Sequence, residues 1–231
     1  TIKGPFDADK VYWFNIIGLH NIRLIKDIGD IFDIHPMDLE DIVHVSQWSK
    51  IEINDSYLFS IFKMMYLKQA EIIHEHLGIV QHNNILLTFQ ETSGDVFDGI
   101  RKRLENNHNN SREYGSEFLF YSLIDALVDQ YFEILNRLAA DIKNIELRIY
   151  DSDLKSRENI YYLRKELLHL INSVTPIKDS IKSLVNKEII NKDMLPYYND
   201  LLDHLNQISD ALRAYKEMTN SLHEMQMANA S

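Results

Sequence analysis

A short acidic stretch holds the residues of this chain best suited to chemistry. Asp38, Glu40 and Asp41 lie within one predicted helix that follows a proline. Hard cations such as Mg²⁺ prefer oxygen ligands and bind through one or two carboxylates while they keep several waters. Acids near a helix N-terminus are also stabilised by the helix dipole without any ligand, by about 0.3 to 1 kcal/mol each. The residues alone leave both a cation site and simple helix capping open.

Two further pairs of acids lie on predicted helices in the second half of the chain. Asp125 and Asp129 are about one turn apart, and Asp200 and Asp203 lie near the start of the last helix. Such pairs are usually part of a solvated helix face.

Two histidines form a second candidate site for a metal. His74 and His76 are two residues apart on a predicted strand, so both imidazoles would point to one side of it and be able to bind zinc. A third and fourth ligand cannot be placed from the sequence. We therefore prefer to interpret the pair as surface histidines on a solvated sheet face.

The motifs of common enzyme classes do not occur in the sequence. Its 7 glycines form neither GxGxxG nor GxxxxGK[ST], and neither GxSxG nor HExxH is present. With no cysteine, nucleophilic catalysis would need a Ser or Thr beside a base, and no such constellation is evident. We predict that the chain is not an enzyme and has no catalytic residues, and a metal-dependent hydrolase is disfavoured for the same reason.

The first half of the chain reads as alternating strands and short helices. Residues 11–17 predict a buried strand, Asn21 a helix cap, and Pro36 the start of a second short helix. Hairpin turns are predicted at residues 54–55 and 83–84, because Asn and Asp tolerate positive φ. Residues 95–107 have helical spacing. Four strand-like runs suit an antiparallel meander: Lys50 to Ile53, Tyr57 to Leu67, Ile72 to His82 and Ile85 to Gln90.

The second half has no glycine after Gly115 and reads as long helices. The first runs to about residue 150, residues 151–153 supply a turn and a cap, and the second continues towards residue 185 with a kink at Pro176. The last helix, residues 196–231, has the 3.5-residue period of a helix that packs along others. Its stripe consists of Leu201, Leu205, Ile208, Leu212, Tyr215, Thr219 and Leu222. The chain shows no helix-ending residues at its C-terminus, so we expect this helix to continue in a longer protein.

These patterns predict an α+β fold. Residues 1–112 form an N-terminal α/β module with a mainly antiparallel sheet, and residues 113–231 form a region of three long helices that ends in the helix 196–231. The formal charge of −11 argues against nucleic-acid binding. No run approaches the roughly 18 to 20 apolar residues of a membrane span, and the start of the chain is not a secretion signal.

Several stretches spread over nearly the whole chain share one family resemblance. They are Trp13–His20, Ile34–Ile42, Lys50–Glu52, Phe89–Glu91, Gly94–Asp98, Tyr121–Asp129, Leu195–Asp200 and Asp203–His204. Together they resemble the CorA-type magnesium transporter family. The resemblance implies the soluble portion of a homopentameric divalent-cation channel, at the cytoplasmic face of the inner cell membrane. The membrane segments of such a protein lie outside this sequence.

The resemblance also implies a set of metal ligands. Asp41 would face Asp200 of a neighbouring subunit, with Glu40 and Asp125 forming a second nearby site. Mg²⁺ would be both the regulatory and the transported ion, with Co²⁺ or Ni²⁺ as further candidates for transport. Mg²⁺ at these interfaces would hold the closed state, and falling cytoplasmic Mg²⁺ would favour opening.

Two alternatives to this interpretation stay open. A zinc transporter of the same superfamily has the same domain plan, and the pore segment that would help to decide is not in this sequence. A soluble helical scaffold, whose last helix pairs with partner helices, belongs to a different class of protein.

Overall fold

The protein folds around a five-stranded sheet with helices on both faces. The structure, a computed structural model, describes residues 6–106, 115–148 and 154–229. The predicted turn and cap at residues 151–153 and the predicted boundary at residue 112 lie outside these ranges, so the division into two units stays a prediction. The elements are β1 (Tyr12–Ile17), α1 (Ile22–Phe32), α2 (Pro36–Val43), β2 (Lys50–Ile53), β3 (Leu58–Lys68), β4 (Glu71–His82), β5 (Ile85–Gln90), α3 (Asp98–Glu105), α4 (Gly115–Arg148), α5 (Leu154–Asn186) and α6 (Leu195–Asn229).

The strand order of the sheet is β1-β5-β4-β3-β2. Strands β2 to β5 pair antiparallel, as the meander predicted, while β1 pairs with β5 in parallel. A parallel pair needs a crossover connection, and α1, α2 and the other strands lie between these two partners in the chain. The α+β class with a mainly antiparallel sheet is confirmed.

The two faces of the sheet carry different hydrophobic cores. Along β3, Phe59 and Ile61 join the core under α1 and α2, whereas Phe62 and Met64 join the core shared with α4, α5 and α6. Because successive side chains of a strand point to opposite faces, a sheet that is covered on both sides needs apolar residues at nearly every position. This requirement explains the continuous apolar runs of β3 to β5.

Caps and small residues fix the positions of α1 and α2. The Asn21 side chain accepts a hydrogen bond from Leu24 N at 3.1 Å, and Pro36 occupies the first turn of α2, as predicted. A Cβ atom at Gly29 would lie 2.3 Å from Leu39 Cδ1, which allows α1 to pack closely on α2. A Cβ atom at Gly78 would lie 3.0 Å from Ile42 Cγ1, so α2 also packs closely on β4. The acidic stretch therefore has a fixed place above the sheet.

The long helices cover the opposite face of the sheet. The Tyr131 hydroxyl of α4 donates to Lys63 O of β3 at 2.6 Å, and α6 packs along both α4 and α5. In the predicted stripe of α6, Tyr215 is half-buried and the other residues are buried, so the 3.5-residue period was a correct guide to packing. Pro176 lies inside α5 and does not end it. Within the described ranges, no helix is long and apolar enough to cross a bilayer.

Candidate functional site

Asp38, the first acid of α2, is buried and hydrogen-bonded within the chain. This residue is only 7% exposed, and its Oδ2 accepts hydrogen bonds from the Tyr57 hydroxyl and from Asn54 Nδ2, the latter at 2.8 Å. Burial raises the pKa of Tyr57 to about 12, and the hydrogen bond to Asp38 adds to that effect. Asp38 therefore ties α2 to the β2–β3 hairpin and is not available as a surface ligand.

Asp41 is half-buried and is held by two donors. Lys50 Nζ lies 2.7 Å from Asp41 Oδ2, and Gln47 Nε2 donates to Asp41 Oδ1 at 2.8 Å. Lys50 also lies 2.9 Å from Glu52 Oε2 and sits 5.2 Å from the centroid of the Phe59 ring. Burial alone lowers the pKa of the Lys50 ammonium, but its hydrogen bonds to Asp41 and Glu52 raise that pKa above its usual value. Asp41 is thus charge-compensated within its own chain.

Lys50 and Gln47 were not singled out from the sequence. Lys50 begins β2 and Gln47 lies in the preceding loop, 9 and 6 residues after Asp41. Neither spacing is one at which side chains meet within a helix or a strand. Glu40, next to Asp41, is exposed.

A second group of acids lies between α4 and α6. Asp125 is half-buried; burial raises its pKa, and the negative charges of Asp129 and Asp200 raise it further. His204 and Arg103 lower the pKa, but the net direction is upward. Within the described ranges, no Lys or Arg forms a salt bridge with Asp125. This surface therefore carries mutually repelling carboxylates.

Asp200 is much more exposed than Asp41. Its side chain is 63% exposed, and His204 Nε2 lies 3.9 Å from Asp200 Oδ2. Beneath it, Tyr121 packs against Tyr198 with ring centroids 5.7 Å apart. Burial raises the pKa of Tyr121, and the negative charges of Asp125 and Asp200 raise it further. Both carboxylates therefore lie near the Tyr121 hydroxyl. Asp203 and Asp129 are exposed, in line with the solvated faces expected for them.

One chain brings some of the predicted ligands together and keeps others apart. Asp125 and Asp200 lie within electrostatic range of each other on α4 and α6, whereas Glu40 and Asp41 lie on α2, which packs on the opposite face of the sheet. In the part of the chain that the structure describes, no group of three or more His, Cys, Asp or Glu side chains is arranged to hold a metal ion. In one chain, Asp41 and Asp200 therefore belong to elements that pack on different faces of the sheet.

The interpretation of the paired histidines as surface residues is wrong for His76. This residue is 1% exposed, and burial, together with the charge of Lys63, lowers its pKa to about 4. His76 Nε2 donates to the Asp41 carbonyl oxygen at 3.1 Å, because a carbonyl can only accept. His74 Nε2 pairs instead with Glu166 Oε2 of α5 at 2.8 Å. The packing of α2 over β4, which buries His76, could not be read from the strand alone.

A known protein matches nearly the whole length of this chain. The chain is 33% identical over 233 residues to the cobalt/magnesium transport protein CorA of Thermotoga maritima, an alignment that covers 98% of this chain and 66% of that protein. The chain thus spans just under two thirds of that relative's length.

The fold is shared with several solved structures. The soluble domain of CorA from Methanocaldococcus jannaschii superposes with a TM-score of 0.80 at 21% identity, covering 94% of this chain and 87% of that one. The ZntB cytoplasmic domain from Vibrio parahaemolyticus superposes with a TM-score of 0.75 at 12% identity over the same shares of the two chains. At such identities these likenesses concern the fold alone.

The family comparison extends over almost the whole sequence. The family model described as CorA-like Mg2+ transporter protein matches residues 8–231. That match includes α2, with Glu40 and Asp41, and the α4 and α6 segments that carry Asp125 and Asp200. The chain belongs to the family of CorA-like Mg²⁺ transporter proteins.

Proposed function

We propose that this chain is the Mg²⁺-sensing and gating part of a CorA-type divalent-cation channel, at the cytoplasmic face of the cell membrane. The family is one of transporters and not of enzymes. The observation that carries the proposal is the acidic surface between α4 and α6, where burial raises the pKa of Asp125 and the negative charges of Asp129 and Asp200 raise it further. Carboxylates that repel one another are the donor set that a hard divalent cation neutralises.

The regulatory sites in this proposal lie between copies of the chain. Asp41 of one copy faces Asp200 of the next, and Glu40 with Asp125 forms a second site nearby. This division is supported by the packing of α2, which carries Glu40 and Asp41, and of α6, which carries Asp200, in the cores of opposite faces of the sheet. A bound Mg²⁺ ion supplies two positive charges, which turn repulsion between facing acids into attraction.

Gating then follows from occupancy of these sites. Copies of the chain, five in the complete homo-oligomer, are held in a closed arrangement while cytoplasmic Mg²⁺ is plentiful. When Mg²⁺ falls, the attraction that the bound ion supplies between the facing copies is lost and the population shifts towards an open arrangement. The membrane-spanning part of the protein conducts the ion.

Mg²⁺ is the proposed cargo, with Co²⁺ as a second transported ion. The name of the Thermotoga relative, a cobalt/magnesium transport protein, supports both. Ni²⁺ stays a further candidate from the family resemblance. The zinc-transporter alternative stays a prediction, because the likeness to the ZntB domain concerns the fold alone.

Limited proteolysis tests the regulatory sites. Mg²⁺ at millimolar concentration should protect the chain, and Asp41→Ala and Asp200→Ala should each weaken that protection. Asp210→Ala is the matched control, because Asp210 lies on the same helix as Asp200 with a side chain 76% exposed. Unchanged protection in both site variants would refute the assignment. Protection by Zn²⁺ but not by Mg²⁺ would favour the zinc alternative.

A further inference from the structure

The Asp41 carboxylate already has a cation bound to it, and that cation belongs to the chain itself. Lys50 Nζ is 2.7 Å from Oδ2 and Gln47 Nε2 is 2.8 Å from Oδ1, so each oxygen has a donor. We propose that Lys50 is a built-in competitor, which occupies Asp41 until a divalent cation displaces it. This inference rests on the proposed function, because it assumes that Asp41 is a regulatory ligand.

Lys50 is held in place by more than one contact. It is the first residue of β2 and pairs with Ile61 in the sheet register, which fixes its backbone. Its Nζ lies 5.2 Å from the Phe59 ring centroid, and the Lys50 and Asp41 side chains are only 25% and 21% exposed. An ion pair on a fully solvated surface contributes little, because water and salt screen it. The partial burial of this pair strengthens it, so a cation that binds Asp41 must first displace the Lys50 ammonium.

Glu52 offers a place for the displaced ammonium. Its Oε2 lies 2.9 Å from Lys50 Nζ while Lys50 still contacts Asp41. Lys50 can therefore release Asp41 and keep an anionic partner without a large movement. This arrangement keeps the cost of exchange low enough for a metal ion to drive it.

The competitor also discriminates by charge. Exchange of the Lys50 ammonium for Na⁺ or K⁺ replaces one positive charge by another and gains little Coulomb energy, whereas a divalent cation brings a second charge to the same carboxylate. The site would thus ignore the abundant monovalent ions and respond to divalent ones. Within the described ranges, Asp200 has no such competing ammonium, and its only ion-pair partner there is His204, with Nε2 3.9 Å from Asp200 Oδ2.

Removal of the ammonium should make the site bind more tightly and less selectively. The Mg²⁺ midpoint for protection from proteolysis should fall about fivefold in Lys50→Met, the size expected for the loss of one competing ion pair. The midpoint of Lys50→Met should also become sensitive to added KCl, while Lys50→Arg, which keeps the charge, should restore a midpoint close to that of the unaltered chain. A midpoint that stays the same or rises in Lys50→Met would overturn the proposal.

A second variant tests the competitor through the other carboxylate that contacts Lys50. Glu52→Gln removes the alternative partner from a side chain that is 48% exposed, so it should raise the Mg²⁺ midpoint. That increase should vanish when Lys50→Met is also present, because the two changes act through the same ammonium. An equal increase in both backgrounds would overturn the competitor model in favour of a general charge effect.

Asp41→Asn separates this inference from the proposed function. If Asp41→Asn abolishes the Mg²⁺ response and Lys50→Met leaves the midpoint unchanged, the regulatory site stands and the competitor fails. If Asp41→Asn leaves the Mg²⁺ response intact, the competitor fails together with the assignment of Asp41 as a regulatory ligand.

Discussion

The α2 carboxylates (Asp38, Glu40 and Asp41) and the α4–α6 carboxylates (Asp125, Asp129 and Asp200) differ in how their charge is met. Asp38 is bound by Tyr57 and Asn54, and Asp41 is bound by Lys50 and Gln47. The pKa of Asp125, in contrast, is raised by burial and by its acidic neighbours. On α2, Asp38 and Asp41 support the fold through these contacts. Between α4 and α6, the mutual repulsion of the carboxylates works against the fold. Similar acidic sequences thus have opposite effects on stability.

The largest expected effect is at Asp38. Asp38→Ala removes two hydrogen bonds to a buried carboxylate and leaves the Tyr57 hydroxyl and the Asn54 amide without their acceptor. Hydrogen bonds to charged groups contribute about 1.5 to 3 kcal/mol each, so the free energy of unfolding should fall by about 3 kcal/mol or more. Urea unfolding in the presence of a chelator measures the change.

Glu40→Ala is the matched control for this prediction, since Glu40 is an exposed acid on the same helix. It should change stability by at most about 0.5 kcal/mol. Equal effects of the two variants would show that the α2 carboxylates are not divided into buried and exposed roles.

A second effect concerns pH and the histidine beneath Asp41. The pKa of His76 is about 4 in the folded chain, below its ordinary value of 6.5, so the unfolded chain takes up a proton first as the pH falls. The stability contributed by neutral His76 is complete above about pH 6.5 and is lost as the pH falls to about 4, by roughly 3 kcal/mol in total. His76→Gln should flatten this slope in urea midpoints measured across that range.

Exposed His20 provides the control for the pH series. His20→Gln should keep the slope of the unaltered chain. A slope that survives His76→Gln unchanged would mean that other groups cause the acid sensitivity.

The smallest expected effect has the opposite sign. Asp125→Asn removes a carboxylate whose pKa is raised by burial and by Asp129 and Asp200, so without divalent cations it should stabilise the chain at neutral pH by about 0.5 to 1 kcal/mol. For a carboxylate with a raised folded pKa, stability falls as pH rises from the unfolded pKa through the folded one. Asp125→Asn should remove that decline. Destabilisation at neutral pH would show that the α4–α6 carboxylates are compensated after all.

Local chemistry made much of the fold predictable from the sequence. Asn21 and Pro36 mark helix starts because a side-chain acceptor and a fixed φ suit the first turn. The stripe of α6 follows from the spacing at which one helix face repeats. Asn83, predicted as a turn residue, has φ of 50°.

The features that sequence reasoning missed depend on contacts between distant parts of the chain. The turn between β3 and β4 uses Gln69 and Ala70, with φ of 49° and 69°, although neither residue type favours positive φ. The parallel pairing of β1 with β5 joins strands from the two ends of the sheet-forming sequence. The contact of Lys50 with Asp41 arises only when α2 lies over the sheet beside β2. The predicted ligands could be named from a family resemblance, but the pairing of Asp41 with Lys50 and Gln47 could not.

The molar mass of this chain in solution tests the central claim most directly. Light scattering with a chelator, and then across millimolar Mg²⁺, should show a rise towards five copies that Asp41→Ala and Asp200→Ala each weaken. Such a result would establish that carboxylates of different copies share the ion. A mass that does not respond to Mg²⁺, or a rise that both variants retain in full, would contradict the account.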